Sequence, residues 1–162
     1  MKANDDVRAL AARLGELALA KRVMLATAES CTGGLVAGAI TDIAGSSGWF
    51  ERGFVTYSNR AKIEDLGVDP EIITRHGAVS GETVKAMAQG ARAASGAQWA
   101  VAVTGIAGPA GGSPDKPVGT VWFAWAGPRG VEALHRQLAG DRAVVRSASV
   151  AIALQGLVDR LG

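Results

Sequence analysis

The chain has few of the residues from which metal and disulfide chemistry is built. A single cysteine, Cys31, excludes an internal disulfide and a cysteine-based zinc cluster. Only two histidines occur, His76 and His135, with no His-x-x-x-His spacing and no His/Asp/Glu grouping around either. That scarcity argues against a metallohydrolase, and neither a metal nor a cofactor is expected. Lysine and arginine form no run and do not interleave with aromatic residues, so nucleic acid is not an expected partner. No apolar stretch approaches the length of a membrane span. The charged start Met1-Lys2-Ala3-Asn4-Asp5-Asp6 lacks the apolar centre of a signal peptide. A cytoplasmic protein with no membrane partner is the expectation. Repeats and low-complexity tracts are missing too.

What remains is an ordinary globular composition. The chain has 162 residues, of which 48% are hydrophobic and 20% charged, enough for one domain, 1–162, with a real core. Its 17 basic residues nearly balance its 15 acidic ones, for a net charge of +2. The isoelectric point of about 9.0 therefore reflects a flat titration curve more than a basic face. The 22 glycines predict several tight turns and close backbone approaches.

Periodicity supplies the elements. Val7, Leu10, Ala11, Leu14, Leu17 and Ala18 mark a first helix, with Asn4 or Asp5 as its cap. Val23–Thr27 reads as a short apolar strand, and Gly34 to Ala44 as a helix of small residues. After the loop Gly45–Gly48 a new element starts at Trp49-Phe50, and Phe54–Tyr57 has strand composition. Ser58 or Asn59 caps a short helix stopped by Gly67, and Asp69-Pro70 starts another that closes near His76-Gly77. Ser80 caps a longer helix. Trp99–Thr104 is a continuous apolar run, as in a fully buried strand. Gly119–Trp125 and Val131–Leu138 form an antiparallel pair, and Gly140-Asp141 caps the last helix. The pattern predicts an α/β fold, a three-layer α/β/α sandwich with a mixed sheet of about five strands.

Chemistry concentrates at Thr27-Ala28-Glu29-Ser30-Cys31-Thr32-Gly33-Gly34, a glycine-containing turn between strand and helix. There the first amides of a helix are unpaired and face a ligand, and the strand's carboxyl end is the usual place for a site. Ser30 is a nucleophile if a base takes its proton, although a plain helix cap is an equal reading. Neither histidine is well placed as that base. Lys62, at a similar strand-to-helix junction, is the better candidate, provided desolvation or a nearby cation keeps its amine neutral. The bland alternative is a solvated helix lysine. Tyr57 either polarises the hydroxyl or packs on the core. Cys31 is either a rival nucleophile or a small buried thiol. Thr104 and Gly105 open the unpatterned stretch Gly105–Pro117, whose length points to function. Their N–H groups are candidate oxyanion donors, or simply part of a turn. Arg142 and Arg146 share a helical face that suits a phosphate or plain solvent.

Several stretches together resemble the CinA C-terminal domain family. They are Ala28-Glu29-Ser30-Cys31-Thr32-Gly33-Gly34, Thr41-Asp42-Ile43-Ala44-Gly45-Ser46-Ser47, Gly53-Phe54-Val55-Thr56-Tyr57-Ser58-Asn59, Gly77-Ala78-Val79-Ser80 and Thr104-Gly105-Ile106-Ala107-Gly108-Pro109. Lys116-Pro117-Val118-Gly119-Thr120-Val121 and Gly140-Asp141-Arg142 extend the match, which runs from about Asp5 to Leu161. The resemblance implies a metal-independent amidohydrolase of pyridine nucleotide recycling. It would convert nicotinamide mononucleotide to nicotinate mononucleotide and ammonia. It identifies Ser30 as the catalytic serine and Tyr57 and Lys62 as its assistants. Substrate binding is then expected at Thr32, Gly33, Gly34, Asn59, Thr104, Gly105 and Arg142. A homo-oligomer, dimer or larger, fits the family's habits. Arg60 stands where relatives often carry Glu, and either lowers the pKa of Lys62 or points to solvent. Longer members carry an N-terminal domain for which this chain has no room, so it looks like the stand-alone form. The alternatives are a non-catalytic nucleotide-binding or partner-docking module, and a hydrolase of another amide or ester.

Overall fold

The computed structural model describes residues 2–162, with side chains from Asn4 onward. The first helix, α1, spans Lys2–Lys21, so Asn4 and Asp5 lie inside it rather than capping it. Its end explains where the first strand begins. Arg22 takes a left-handed conformation (φ 56°) and the Val23 N–H closes back on the Ala18 carbonyl at 3.0 Å. Residues 22 and 23 thus finish the helix, and β1 runs Leu25–Glu29, two residues later than its composition suggests. Next comes α2 (Leu35–Thr41), shorter than the expected span to Ala44, and a single 3-10 turn at Ser46–Gly48. β2 (Phe50–Val55) starts at the expected Phe50 but ends before Tyr57. Its middle, Glu51-Arg52-Gly53, is exposed because β2 is an edge strand, which hides it from a search for apolar runs.

Three helices follow, each with the cap read from the sequence. Ser58 accepts from the Ala61 N–H to start α3 (Asn59–Leu66), Asp69 from Glu71 N–H to start α4 (Pro70–His76), and Ser80 from Thr83 N–H to start α5 (Gly81–Ser95). The chain then forms β3 (Trp99–Gly105), β4 (Thr120–Gly127) and β5 (Gly130–Gln137). Asp141 accepts from the Val144 N–H to cap α6 (Arg142–Leu161). No described helix is long and apolar enough to cross a membrane.

The sheet order is β2-β1-β3-β4-β5, with β1 parallel to both neighbours and the last two pairings antiparallel. Strand alternation gives its two faces different characters. Leu25, Val101, Val103, Val121, Phe123 and Trp125 pack with α1, α2 and α6. Ala26, Ala28, Ala100, Ala102, Ala124 and Ala126 pack with α5. This is the expected α/β sandwich with a mixed five-stranded sheet. The chain leaves β1 toward one edge of the sheet and β3 toward the other. That divergence opens a crevice at their carboxyl ends.

Candidate active site

Ser30 begins the turn that follows β1, and its N–H donates to the Val103 carbonyl at 3.0 Å. Gly33 and Gly34 both have positive φ, 57° and 105°, a conformation that a side chain would strain. The turn closes through the Gly33 N–H on the Ser30 carbonyl at 3.1 Å and the Leu35 N–H on the Thr32 carbonyl at 3.0 Å. Gly34 has no side chain with which to cap α2. Glu29, only 1% exposed, does it instead, accepting from Val36 N–H at 2.8 Å and Ala37 N–H at 3.1 Å. This corrects the expectation of open amides at the start of α2: a buried carboxylate already occupies those of Val36 and Ala37. Thr32, Gly33 and Gly34 shape the turn, and none of them lines the cleft beside Ser30.

Lys62 sits on the inner face of α3 and is 1% exposed. Its Nζ lies 2.9 Å from Ser30 Oγ and donates to the Thr56 carbonyl at 2.8 Å and the Tyr57 carbonyl at 3.3 Å. Burial lowers its pKa from 10.5 to about 8, because a charged amine loses its hydration there. Arg60 points to solvent and pairs with Glu64 at 2.6 Å, so it is not the cation that perturbs Lys62. The same burial pushes the Cys31 thiol up to about 11, which keeps it protonated in the cleft wall.

The cleft encloses about 260 Å³ between Ser30, Tyr57, Lys62, the end of β3 and the loop after it. Thr104 is turned inward and its hydroxyl donates to the Ala78 carbonyl at 2.9 Å. Gly105 lines the cleft, and strand alternation turns its N–H toward the side of Ser30. Backbone groups alternate along a strand, and the Val103 carbonyl two residues earlier already faces Ser30. The long loop Ile106–Gly119 lines the cleft through Ile106–Gly108, Ala110 and Gly111, as its length suggested. Arg142 lines it as well, donating to the Gly108 carbonyl at 2.8 Å and the Tyr57 hydroxyl at 3.4 Å. Arg146 instead faces the Cys31 and Thr32 carbonyls, at 3.1 Å and 3.4 Å.

Ser30, Lys62, Tyr57, Thr104, Gly105 and Arg142 are therefore brought together. The Tyr57 phenol meets Arg142 rather than Ser30, and Asn59 stands exposed at the first position of α3, outside the cleft. The histidines lie elsewhere, His135 against the Trp122 ring and His76 at the end of α4. Among the described residues no three His, Cys, Asp or Glu side chains are placed to hold a metal ion. Glu29 and the two carbonyls on Lys62 escaped the reading of the sequence. The one available signal for Glu29 was a helix starting at glycine with no capping side chain of its own.

Residues 7–161 match the CinA C-terminal domain. The nicotinamide-nucleotide amidohydrolase PncC of Pseudomonas putida is 54% identical over 154 residues, which cover 95% of this chain and 96% of that protein. The protein of the same name from Escherichia coli K12 is 53% identical over 155 residues, 95% of this chain and 94% of its own. Among solved structures, the competence/damage inducible protein CihA from Agrobacterium tumefaciens superposes with a TM-score of 0.90 at 49% identity. That match covers 95% of this chain and 94% of the other.

Proposed function

Because the chain belongs to the CinA C-terminal domain family, we propose that it hydrolyses the carboxamide of nicotinamide mononucleotide, releasing ammonia and nicotinate mononucleotide. Curated relatives named nicotinamide-nucleotide amidohydrolase, matched over nearly their full length, support that substrate. The observation that carries the reaction is the buried Lys62 Nζ, 2.9 Å from Ser30 Oγ.

A neutral lysine amine has two N–H donors and one lone pair. The Thr56 and Tyr57 carbonyls take the two donors, so the lone pair is left for the Ser30 O–H. As Ser30 Oγ bonds to the carboxamide carbon, its proton passes to Lys62. The Gly105 N–H, turned into the cleft, donates to the oxyanion that forms. The tetrahedral intermediate collapses with cleavage of the C–N bond, Lys62 returns the proton to nitrogen, and ammonia leaves. Water then attacks the acyl ester on Ser30, giving up a proton to Lys62. The C–Oγ bond breaks as Lys62 returns that proton to Ser30 Oγ, and the acid product leaves as the carboxylate after losing its proton to solvent. The base contributes a factor of about 10²–10⁴ in such transfers. Tyr57 acts through its carbonyl on Lys62 and its phenol on Arg142, and Arg142 closes the mouth where the phosphate end of the substrate enters.

The test is ammonia release from nicotinamide mononucleotide in the presence of a chelator, for wild type, Ser30→Ala and Lys62→Ala. Wild type is expected to turn over without metal and both variants to lose the activity. Near-normal release by Ser30→Ala would overturn the mechanism. No release by wild type would overturn the assignment of substrate.

A further inference from the structure

The nucleophile and its base are carried by different elements, so their 2.9 Å approach depends on how firmly the Ser30 turn is held. The turn supplies two of its own bonds, from Gly33 N–H and Leu35 N–H. The Ser30 N–H is tied to the Val103 carbonyl at 3.0 Å, and a further grip comes from α6. Arg146, in the second turn of α6, donates from Nε to the Cys31 carbonyl at 3.1 Å and from Nη2 to the Thr32 carbonyl at 3.4 Å. Together these bonds engage the carbonyls of residues 30, 31 and 32. Gly33 lies beside the guanidinium and needs no side chain of its own, since its φ of 57° is one that a side chain would strain.

We propose that Arg146 is a positioning residue for Ser30, its planar fork fixing two successive peptide planes so that the hydroxyl stays aimed at Lys62. The proposal rests on the Ser30–Lys62 reading given above. A carbonyl and the next N–H share one rigid plane, so holding the Cys31 and Thr32 carbonyls fixes the backbone immediately after the nucleophile. A guanidinium does this better than an ammonium because its donors are set in a rigid plane. Two of the three Arg146 nitrogens are committed to backbone, which turns the residue from the phosphate partner that its helical face suggested into part of the scaffold.

Two rates test this. The first is labelling of Ser30 by a fluorophosphonate, in which the Oγ–P bond forms, fluoride leaves and the proton goes to Lys62. The second is steady-state hydrolysis of nicotinamide mononucleotide. Both are measured for wild type, Arg146→Ala and Arg146→Lys, with thermal unfolding recorded alongside. Labelling and kcat are expected to fall together by about tenfold or more in Arg146→Ala. KM should stay near the wild-type value, and added guanidinium ion should restore part of both rates. Arg146→Lys keeps the charge without the fork and is expected to be slow as well, which decides the matter if the alanine variant does not fold. Unchanged labelling with a raised KM would assign Arg146 to substrate binding, and rates that fall only in step with unfolding would assign it to general stability. Either result overturns the proposal. If wild type is labelled but releases no ammonia, the substrate reading fails and the labelling rates alone decide Arg146. If wild-type Ser30 is not labelled, both readings fail.

Discussion

Lys62 is a buried amine that forms no ion pair among the described residues, and its neighbours are two carbonyls and a hydroxyl. Its basicity follows from that setting. Burial lowers the folded-state pKa to about 8, against an ordinary 10.5. Below about pH 8 the folded chain must keep a desolvated ammonium, and the penalty is full. Between about 8 and 10.5 the unfolded chain binds more protons at this residue, so stability rises with pH through that window. Denaturant titrations of wild type and Lys62→Met should therefore diverge, wild type gaining up to about 3 kcal/mol relative to the variant between pH 7 and 10.5. On the proposed mechanism, catalysis reads the same group. At pH 7 roughly a tenth of Lys62 is neutral in the free protein, so kcat/KM should rise about tenfold per pH unit below 8 and level off above it. A pH–rate profile flat from 6 to 9 would remove Lys62 as the base.

Among the elements, α2 depends most on a single distant group. It has seven residues, a glycine at its cap and the Glu29 carboxylate on its second and third amides. Glu29→Ala would leave those buried N–H groups without partners and should destabilise the protein by about 2 kcal/mol, measured as a shift in the denaturation midpoint. The same face of the sheet shows how close a helix can come. Gly156 of α6 lies against Trp125, and a Cβ there would fall 2.1 Å from Cε2 of the indole. Gly156→Ala should cost about 1–3 kcal/mol through overpacking, read by the same titration. The caps Ser58, Asp69, Ser80 and Asp141 were legible in the sequence because a cap is a local event. Those of α1 and α2 were not. One helix starts before its nearest capping residues, and the other borrows a carboxylate from the preceding strand.

Across the whole molecule, the layered fold was legible because apolar periodicity and turn residues fix it. The meeting of Ser30 with Lys62 was not, since 32 residues of separation carry no distance. It follows from one fact of topology. β1 and β2 are parallel neighbours in register at Glu29 and Val55, so Ser30 and Thr56 leave the sheet side by side, and α3 then brings Lys62 back over the corner. The family resemblance pointed to the pair, and the sheet register accounts for its proximity. The grip of Arg146 on the Ser30 turn depended on a contact 115 residues long and could be seen only in three dimensions.

Because that contact comes from α6, the order of synthesis separates making the Ser30–Lys62 pair from completing its surroundings. A ribosome emits Ser30 and Lys62 before α6, the helix that covers Val103, Phe123 and Trp125 and carries Arg142 and Arg146, because α6 follows every strand in the chain. Chains halted at residue 140 should therefore hydrolyse nothing and bind a hydrophobic dye, whereas chains extended through α6 lose the dye as activity appears. The enzyme would thus stay silent until α6 has been made and has docked on the sheet.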